Sequence, residues 1–176
     1  DLFLLNRNRQ ALESDILEEI RGRLPPPSEL DGRRTLVVHG VGWHQGVLGI
    51  VASRLVDRYR RPALVLNVKD GVATGSGRSI QGFDLHEALL GLGDMFRNFG
   101  GHRHAVGLSL EEKNLHRLGR GLEAAGRERL SESDLCAVIE ADLEVPPNHV
   151  NMDTVDELET LGPFGVVNPE PLFLGR

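Results

Sequence analysis

The chain opens with apolar residues that recur at helical spacing. Five of them follow one another at intervals of seven or four residues: Leu5, Leu12, Ile16, Ile20 and Leu24. Such intervals place their side chains on one face of an α-helix. Three prolines at 25–27 then end the helix, because proline lacks the amide donor and clashes with the preceding turn. The pattern predicts one long amphipathic helix that packs its apolar face against another element.

Short apolar runs and helical patterns alternate after the prolines. Residues 35–39 and 63–66 are typical of buried strands, and residues 47–60 between them carry apolar side chains at helical spacing. Strand, helix and strand in this order predict a parallel crossover unit. Lys69, Asp70 and Gly71 form a hairpin turn signal, so residues 72–76 are predicted to pair antiparallel with the strand before them.

The later part of the chain predicts further elements of both kinds. A helix is expected from about Asp84, a tight turn at residues 100–102 and a short strand at 105–108. Ser109 and Glu112 have the spacing of a capping box, which predicts that the next helix begins there. Residues 135–145 are predicted as a strand and residues 155–161 as a short helix.

These elements predict an α/β (α+β) fold with a mixed sheet of about five strands flanked by helices. The predicted divisions are a helix at 1–30, a central domain at 31–130 and a further segment at 131–176 that ends abruptly in apolar residues.

Composition restricts the classes of protein that this chain can be. No apolar run approaches the roughly 20 residues of a membrane span, and no basic, apolar leader precedes the first helix. The single cysteine, Cys136, excludes an internal disulfide, fits a reducing cytosol and is predicted to lie in the core. We therefore expect a cytoplasmic protein with no membrane contact.

The formal charge of −6 is distributed unevenly. Residues 35–110 carry 8 basic and 5 acidic side chains and five of the seven histidines, whereas residues 131–176 carry 1 basic and 10 acidic side chains. An anionic partner is therefore expected to contact the middle of the chain.

A first candidate binding loop contains Gly40, Gly42 and Gly46 between a strand and a helix. Such a turn can aim helix N-terminal amides at an anion, with His44 close by. It departs from the dinucleotide-binding fingerprint G-x-G-x-x-G, since the interval between Gly42 and Gly46 is one residue too long. Asn67 also stands where a ribose-binding acid is expected.

A second candidate comprises Gly75, Ser76, Gly77 and Arg78. The glycines allow close approach of a ligand, and the serine and arginine, two apart on a strand, point to the same side. A hydroxyl beside a guanidinium suits a phosphate group. A glycine-rich strand end with a surface arginine is the structural alternative.

A third candidate comprises Gly100, Gly101 and His102. Two glycines let the imidazole lie against a ligand, as a metal ligand when neutral or a phosphate ligand when protonated. A zinc site with His104 and His39 or His44 would lack Cys, Asp or Glu at useful spacing. No metal site is predicted within the chain.

Together and in this order, several motifs resemble the RecJ family of single-strand-specific exonucleases, in the DHH phosphoesterase superfamily. The segments that carry the resemblance are residues 43–55 (WHQGVLGIVASRL), 75–79 (GSGRS), 99–102 (FGGH), 105–107 (AVG), 161–165 (LGPFG) and 168–171 (NPEP). The resemblance covers nearly the whole chain. By this resemblance, residues 1–30 are a linking helix, 31–130 a DHH-associated nucleic-acid-binding domain and 131–176 the start of an oligonucleotide-binding barrel.

The resemblance implies a role in 5′ to 3′ degradation of single-stranded DNA during repair and recombination. Ser76 and Arg78, with Gly75 and Gly77, match phosphate-binding positions. His102, with Gly100 and Gly101, would face the metal centre and could assist catalysis, and His44 is a weaker candidate.

Manganese or magnesium would be held by the enzyme's own N-terminal DHH domain, which is not among these residues, so the chain alone is expected to be inactive. The alternatives are a DHH-type oligonucleotide or cyclic-dinucleotide phosphodiesterase fragment and a stand-alone nucleic-acid-binding module.

Overall fold

A mixed sheet organises the larger part of the chain. The computed structural model describes residues 2–30, 32–136, 140–165 and 167–175, which form two units, Asp1–Cys136 and Ala137–Arg176. Within the described part of the first unit, the strands are β1 (Leu36–Val41), β2 (Ala63–Lys69), β3 (Val72–Arg78), β4 (Phe96–His102) and β5 (Ala105–Glu111). Their order across the sheet is β1-β2-β3-β5-β4, with β1 parallel to β2 and the other neighbours antiparallel. The predicted mixed five-stranded sheet is confirmed.

Helices cover both faces of this sheet. The helices are α1 (Leu2–Arg21), α2 (Gln45–Tyr59), α3 (Leu85–Leu90) and α4 (Leu115–Arg129). One face, here the α2 face, packs against α1 and α2 through a cluster that includes Ile16, Ile20, Leu48, Leu55 and Val65. The other, here the α4 face, packs against α3 and α4 through a cluster that includes Leu64, Leu89, Leu108, Leu118 and Leu122. Because side chains alternate between the two faces along each strand, successive residues pack into two separate cores.

Local residue chemistry explains the turns and helix ends. Asp70 and Gly71 both have positive φ, 52° and 74°, as the two-residue hairpin between β2 and β3 requires. The carboxylate of Asp84 accepts a hydrogen bond from Glu87 N at 2.9 Å, and this N-cap begins α3. The predicted hairpin and the helix start near Asp84 are both found.

Two predictions around β4 and β5 are wrong. Residues 100–102 are not a tight turn, because they form the end of β4, and the chain turns at residues 103–104. Ser109 is not a helix cap, because it lies within β5 and pairs with Thr74 and Asn98. The ladders to β3 and β4 use both edges of β5, and α4 begins only at Leu115, after a 3₁₀ turn at Glu112–Asn114.

The apolar face of α1 agrees with the prediction in its C-terminal half. Ile16 and Ile20 are buried, whereas Leu12 is 39% exposed and Leu24 lies beyond the helix end. The side chain of Leu5 lies outside the described residues. Cys136 is exposed, so its predicted core position is wrong. It follows a 3₁₀ turn at Ser133–Leu135, which buries Leu135 instead.

The second unit contains β6 (Leu143–Val145), α5 (Met152–Glu159) and β7 (Phe173–Gly175) among its described residues. β6 pairs with β7 in parallel. The predicted strand at 135–145 is found only at its end, and residues 137–139 lie outside the described residues. The domain limits 1–30, 31–130 and 131–176 stay predictions. No helix in the described ranges is long and apolar enough to cross a membrane.

Candidate nucleic-acid interface

The strand register brings predicted site residues onto one face of the sheet. Ser76 on β3 lies opposite Val65 on β2 and Gly107 on β5, and Gly107 lies opposite Gly100 on β4. Val65 is fully buried under α2, whereas Gly107 and Gly100 are exposed. On the α2 face, the sheet is therefore covered at β2 and open to solvent at β5 and β4, with β3 at the boundary.

The adjacent row of the sheet carries the two charged or titratable candidates. Arg78 on β3 lies opposite Ala105 on β5, and Ala105 lies opposite His102 on β4. Two strand spacings separate the Arg78 and His102 backbones, which corresponds to about 10 Å. Because partners in a ladder project to the same side, the side chains of Ser76, Arg78 and His102 share the α2 face.

Glycines leave the space between these side chains open. A Cβ atom added at Gly100 or Gly107 would have no atom within 4 Å. Ala105 contributes a methyl group between Arg78 and His102. We call this surface, made of Ser76, Arg78, Gly100, His102 and Gly107, the phosphate recess. It offers a hydroxyl, a guanidinium and an imidazole around a floor of bare backbone, which suits phosphate groups of an extended strand.

Arg78 is held against helix α2. Its Nη1 donates to the carbonyl of Gly77 at 2.8 Å. A Cβ atom at Gly49 would lie 2.9 Å from Arg78 Nη2, so the guanidinium packs where α2 lacks a side chain. Arg78 has no carboxylate partner within the described residues, so its charge is available to an anion.

His102 lies at the exposed end of β4. Its Nδ1 accepts a long hydrogen bond of 3.4 Å from the backbone of His104. This contact uses Nδ1, and Nε2 has no hydrogen-bond partner among the described residues.

Three of the predicted glycines have a packing role in the structure. A Cβ at Gly77 would lie 2.4 Å from Leu64 Cδ2 in the α4-face core. Gly75 closely approaches the carbonyl of Val65 on β2, and Gly101, with a φ of 139°, closely approaches the carbonyl of Ala105. Their side-chain positions are therefore filled by neighbouring strands, and any ligand contact from them would come from the backbone.

His44 lies apart from the recess row. Its Nδ1 accepts a hydrogen bond from Gly46 N at 3.1 Å and caps α2. The preceding loop is held by Asn67 Oδ1, which accepts from Trp43 N at 3.0 Å. Asn67 lies four positions along β2 from Ala63, the residue that pairs with Arg78.

The Gly40 loop is used for packing an aromatic ring. A Cβ at Gly40 would lie 2.2 Å from the indole of Trp43, whose Nε1 donates to Glu19 on α1 at 2.7 Å. The indole therefore occupies the space over Gly40, and this contact explains the glycine without a dinucleotide.

Sequence reasoning missed the contributions of β4 and β5 to this surface. Asn98 donates to Ser109 Oγ at 3.3 Å, next to the recess, and Gly107 forms part of its floor. The alternation of Asn98, Gly100 and His102 is a period-two signal that could have identified β4 as a strand with one polar face.

The donor side chains of the described residues do not form a metal centre. Within the described ranges, no three His, Cys, Asp or Glu side chains come together in a way that could hold an ion. A two-metal phosphodiester site needs several such ligands. The described residues therefore do not themselves supply the ligands of such a site.

Comparison with known proteins now identifies the family. The DHHA1 domain family matches residues 33–126, the part of the chain that holds the whole sheet and most of α4. The chain belongs to the DHHA1 domain family. A second family, the RecJ OB domain, matches residues 141–176.

The relatives of this DHHA1 chain confirm the predicted RecJ resemblance. It is 38% identical over 169 residues to the single-stranded-DNA-specific exonuclease RecJ of Bacillus subtilis, an alignment that covers 95% of this chain and 21% of that protein. Identity to the enzyme of the same name from Salmonella typhimurium is 36% over 185 residues, covering 100% of this chain and 32% of that protein.

The fold agrees with a solved structure. The crystal structure of RecJ in complex with Mn²⁺ from Thermus thermophilus superposes with a TM-score of 0.81 at 28% identity, covering 99% of this chain and 25% of that one. The chain thus spans between about a fifth and a third of the length of these relatives.

Proposed function

We propose that this chain is the substrate-binding part of a single-strand-specific DNA exonuclease that degrades DNA in the 5′ to 3′ direction. The observation that carries the proposal is the phosphate recess. The register puts Ser76, Arg78 and His102 on one open face, around backbone that a DNA strand can approach closely. The names of the relatives supply the substrate class, single-stranded DNA.

The hydrolytic step belongs, in this proposal, to a separate DHH domain of the whole protein that faces the recess. The described residues lack a metal-ligand cluster, and the similar Thermus structure is a Mn²⁺ complex of a chain about four times as long. That domain would hold Mg²⁺ or Mn²⁺, whose chemistry is to activate water and stabilise negative charge. Arg78 and Ser76 would hold the end phosphate, and His102 would assist near the scissile bond. We further propose a cytoplasmic location and a role in DNA repair and recombination.

A charge placed on the recess floor tests this proposal. Gly107→Glu adds a carboxylate where a side chain meets no other atom, so the fold should tolerate it. Repulsion of about 1.4 kcal/mol between this carboxylate and a phosphate corresponds to about a tenfold weaker binding of single-stranded DNA. Fluorescence anisotropy with a labelled oligonucleotide measures this loss at low salt.

Gly93→Glu is the matched control, since Gly93 also has open space around it and lies outside the recess. It adds the same charge and should leave binding within about twofold of the original. Equal losses in both variants would mean that only the net charge of the chain matters, and the recess would then not be the DNA site.

A further inference from the structure

A groove of about 860 Å³ opens on the α4 face, opposite to the phosphate recess. Its walls are β1 and α4. These elements meet closely where a Cβ at Gly126 would lie 2.7 Å from Thr35 Cγ2. His39 on β1 and His116 near the start of α4 also line the groove.

Positive charge predominates in the groove. Its basic side chains are Arg33, Lys113, Arg120 and Arg127, and its carboxylates are Glu112 and Glu123. The Glu123 carboxylate is already occupied, because it accepts from Arg34 N, Thr35 N, Thr35 Oγ1 and Arg127 Nε at 2.9–3.1 Å. Glu112 has no side-chain partner in the described residues and reduces the net positive charge.

Two of the four basic side chains are uncompensated. Lys113 pairs with Glu111 at 2.5 Å, and Arg127 pairs with Glu123 at 3.0 Å. In the part of the chain that the structure describes, the side chains of Arg33 and Arg120 have no hydrogen-bond or ion-pair partner. Arg120 and His116 are four residues apart on α4, so they are neighbours on the helix surface and both face the groove.

The groove also offers apolar surface and space. Val37, Leu115 and Ala124 line it beneath the charged side chains. Its volume lies within the range of sites for small organic ligands, which combine apolar walls with a few charged groups. The imidazole of His39 can stack on a nucleobase, as histidine does in nucleic-acid sites.

We propose that this groove binds a mononucleotide, with its phosphate at Arg120 and His116 and its base against the apolar wall. A guanidinium with no protein partner is a strong ligand for a phosphate monoester. The site is separate from the recess and does not depend on the exonuclease proposal.

One observation favours a free nucleotide over an extended peptide. An extended acidic peptide would need the backbone edge of β1, but the carbonyl of His39 on that edge already accepts from Arg23 Nη1 at 2.9 Å.

Backbone amide NMR of the 176-residue chain tests the site with four probes: deoxyadenosine monophosphate, inorganic phosphate, a single-stranded oligonucleotide and an acidic peptide. The nucleotide should shift amides of β1 and α4, and inorganic phosphate should bind at least tenfold more weakly. Arg120→Gln should weaken nucleotide binding about tenfold or more without changing the fold, since Arg120 is exposed and its side chain has no partner among the described residues.

Arg117→Gln is the control, because it removes the same charge from α4 at a side chain that pairs with Asp94 at 3.0 Å. It should leave nucleotide binding unchanged, as should Gly107→Glu in the recess. Absence of nucleotide binding, shifts confined to β4 and β5, equal losses in both arginine variants, or tighter binding of phosphate, oligonucleotide or peptide at the groove would each overturn the proposal.

Discussion

Arg78 and His102 lie in one cross-strand row of the sheet, separated only by Ala105 of the intervening strand. They are 24 positions apart in the sequence, and the pairing of β5 with both β3 and β4 brings them together. An anion bound between these side chains would meet the guanidinium on one side and the imidazole on the other.

Gly49 should be needed for the position of Arg78 more than for helix stability. Gly49→Ala places a methyl group 2.9 Å from Arg78 Nη2, so the guanidinium must move. Alanine in a helix interior is intrinsically favoured over glycine by up to about 1 kcal/mol. We expect unchanged or slightly higher resistance to urea, together with weaker DNA binding by fluorescence anisotropy.

The same substitution on α4 separates these two effects. Gly119→Ala gains the same helix propensity with no atom near the new Cβ, so it should raise stability and leave DNA binding unchanged. If Gly49→Ala binds DNA as well as Gly119→Ala does, the contact with α2 does not position Arg78.

The sequence predicted the sheet because its apolar runs and turn residues agree with one another. β2 is apolar on both sides because both of its faces are buried, and Asp70 and Gly71 adopt the conformations that the hairpin needs. β4 escaped prediction because it is an edge strand with exposed polar and glycine residues. The capping-box pattern predicted a helix start at Ser109, but pairing with Thr74 and Asn98 places Ser109 inside β5. Such pairing joins residues that are distant in sequence, so a local pattern cannot predict it.

The candidate site was predicted as residues but not as a surface. Ser76 and Arg78 follow from period-two spacing, whereas their relation to His102 depends on the order of β3, β5 and β4. Strand order is a long-range property, so no local motif could supply it. The packing role of Gly77 likewise depends on Leu64, a residue of the neighbouring strand.

Glu123 should stabilise the fold by holding β1 against α4. Its partly buried carboxylate accepts hydrogen bonds from Arg34 N, Thr35 N and Thr35 Oγ1. Glu123→Ala leaves these donors without an acceptor and should lower the free energy of unfolding by roughly 2–3 kcal/mol. Urea unfolding followed by circular dichroism measures the change. Glu128→Ala, on the exposed side of the same helix, should change it by less than about 0.5 kcal/mol.

Glu111 should titrate at a lower pH than an ordinary glutamate. A hydrogen bond from Lys113 and the charge of that lysine lower the pKa of the Glu111 carboxyl, with a further contribution from Arg97. A lowered pKa in the folded state means that any stabilisation is present above the ordinary glutamate pKa and is lost as the pH falls through the folded value. Because Glu111 is solvent-exposed, the effect on stability should be small.

The titration of the Glu111 side chain by NMR checks this assignment. Lys113→Gln should move the pKa of Glu111 upward, toward its ordinary value, because the strongest stabilising hydrogen bond and its charge are lost. Arg97→Gln should move it in the same direction by less. A larger shift in the Arg97 variant would mean that Arg97, and not Lys113, is the main cause of the lowered pKa.

Arg78 should recognise the terminal phosphate of a DNA strand. In the whole protein, Arg78→Ala should remove a charge-assisted hydrogen bond worth about 1.5–3 kcal/mol, which corresponds to roughly a ten- to hundredfold loss of binding or turnover. The loss should be larger for strands that carry a 5′-phosphate than for strands that end in a hydroxyl. Parallel exonuclease assays on the two substrates measure the ratio.

Arg78→Lys should restore only part of that preference. An ammonium keeps the charge but cannot present the planar pair of donors that a phosphate accepts. The urea midpoint should change little in either variant, since the only hydrogen bond of the Arg78 side chain in the described structure goes to the neighbouring carbonyl of Gly77. If Arg78→Ala reduces activity equally on 5′-phosphate and 5′-hydroxyl strands, with a normal urea midpoint, the end phosphate binds away from Arg78. If Arg78→Ala instead lowers the urea midpoint strongly, the role of the arginine is structural.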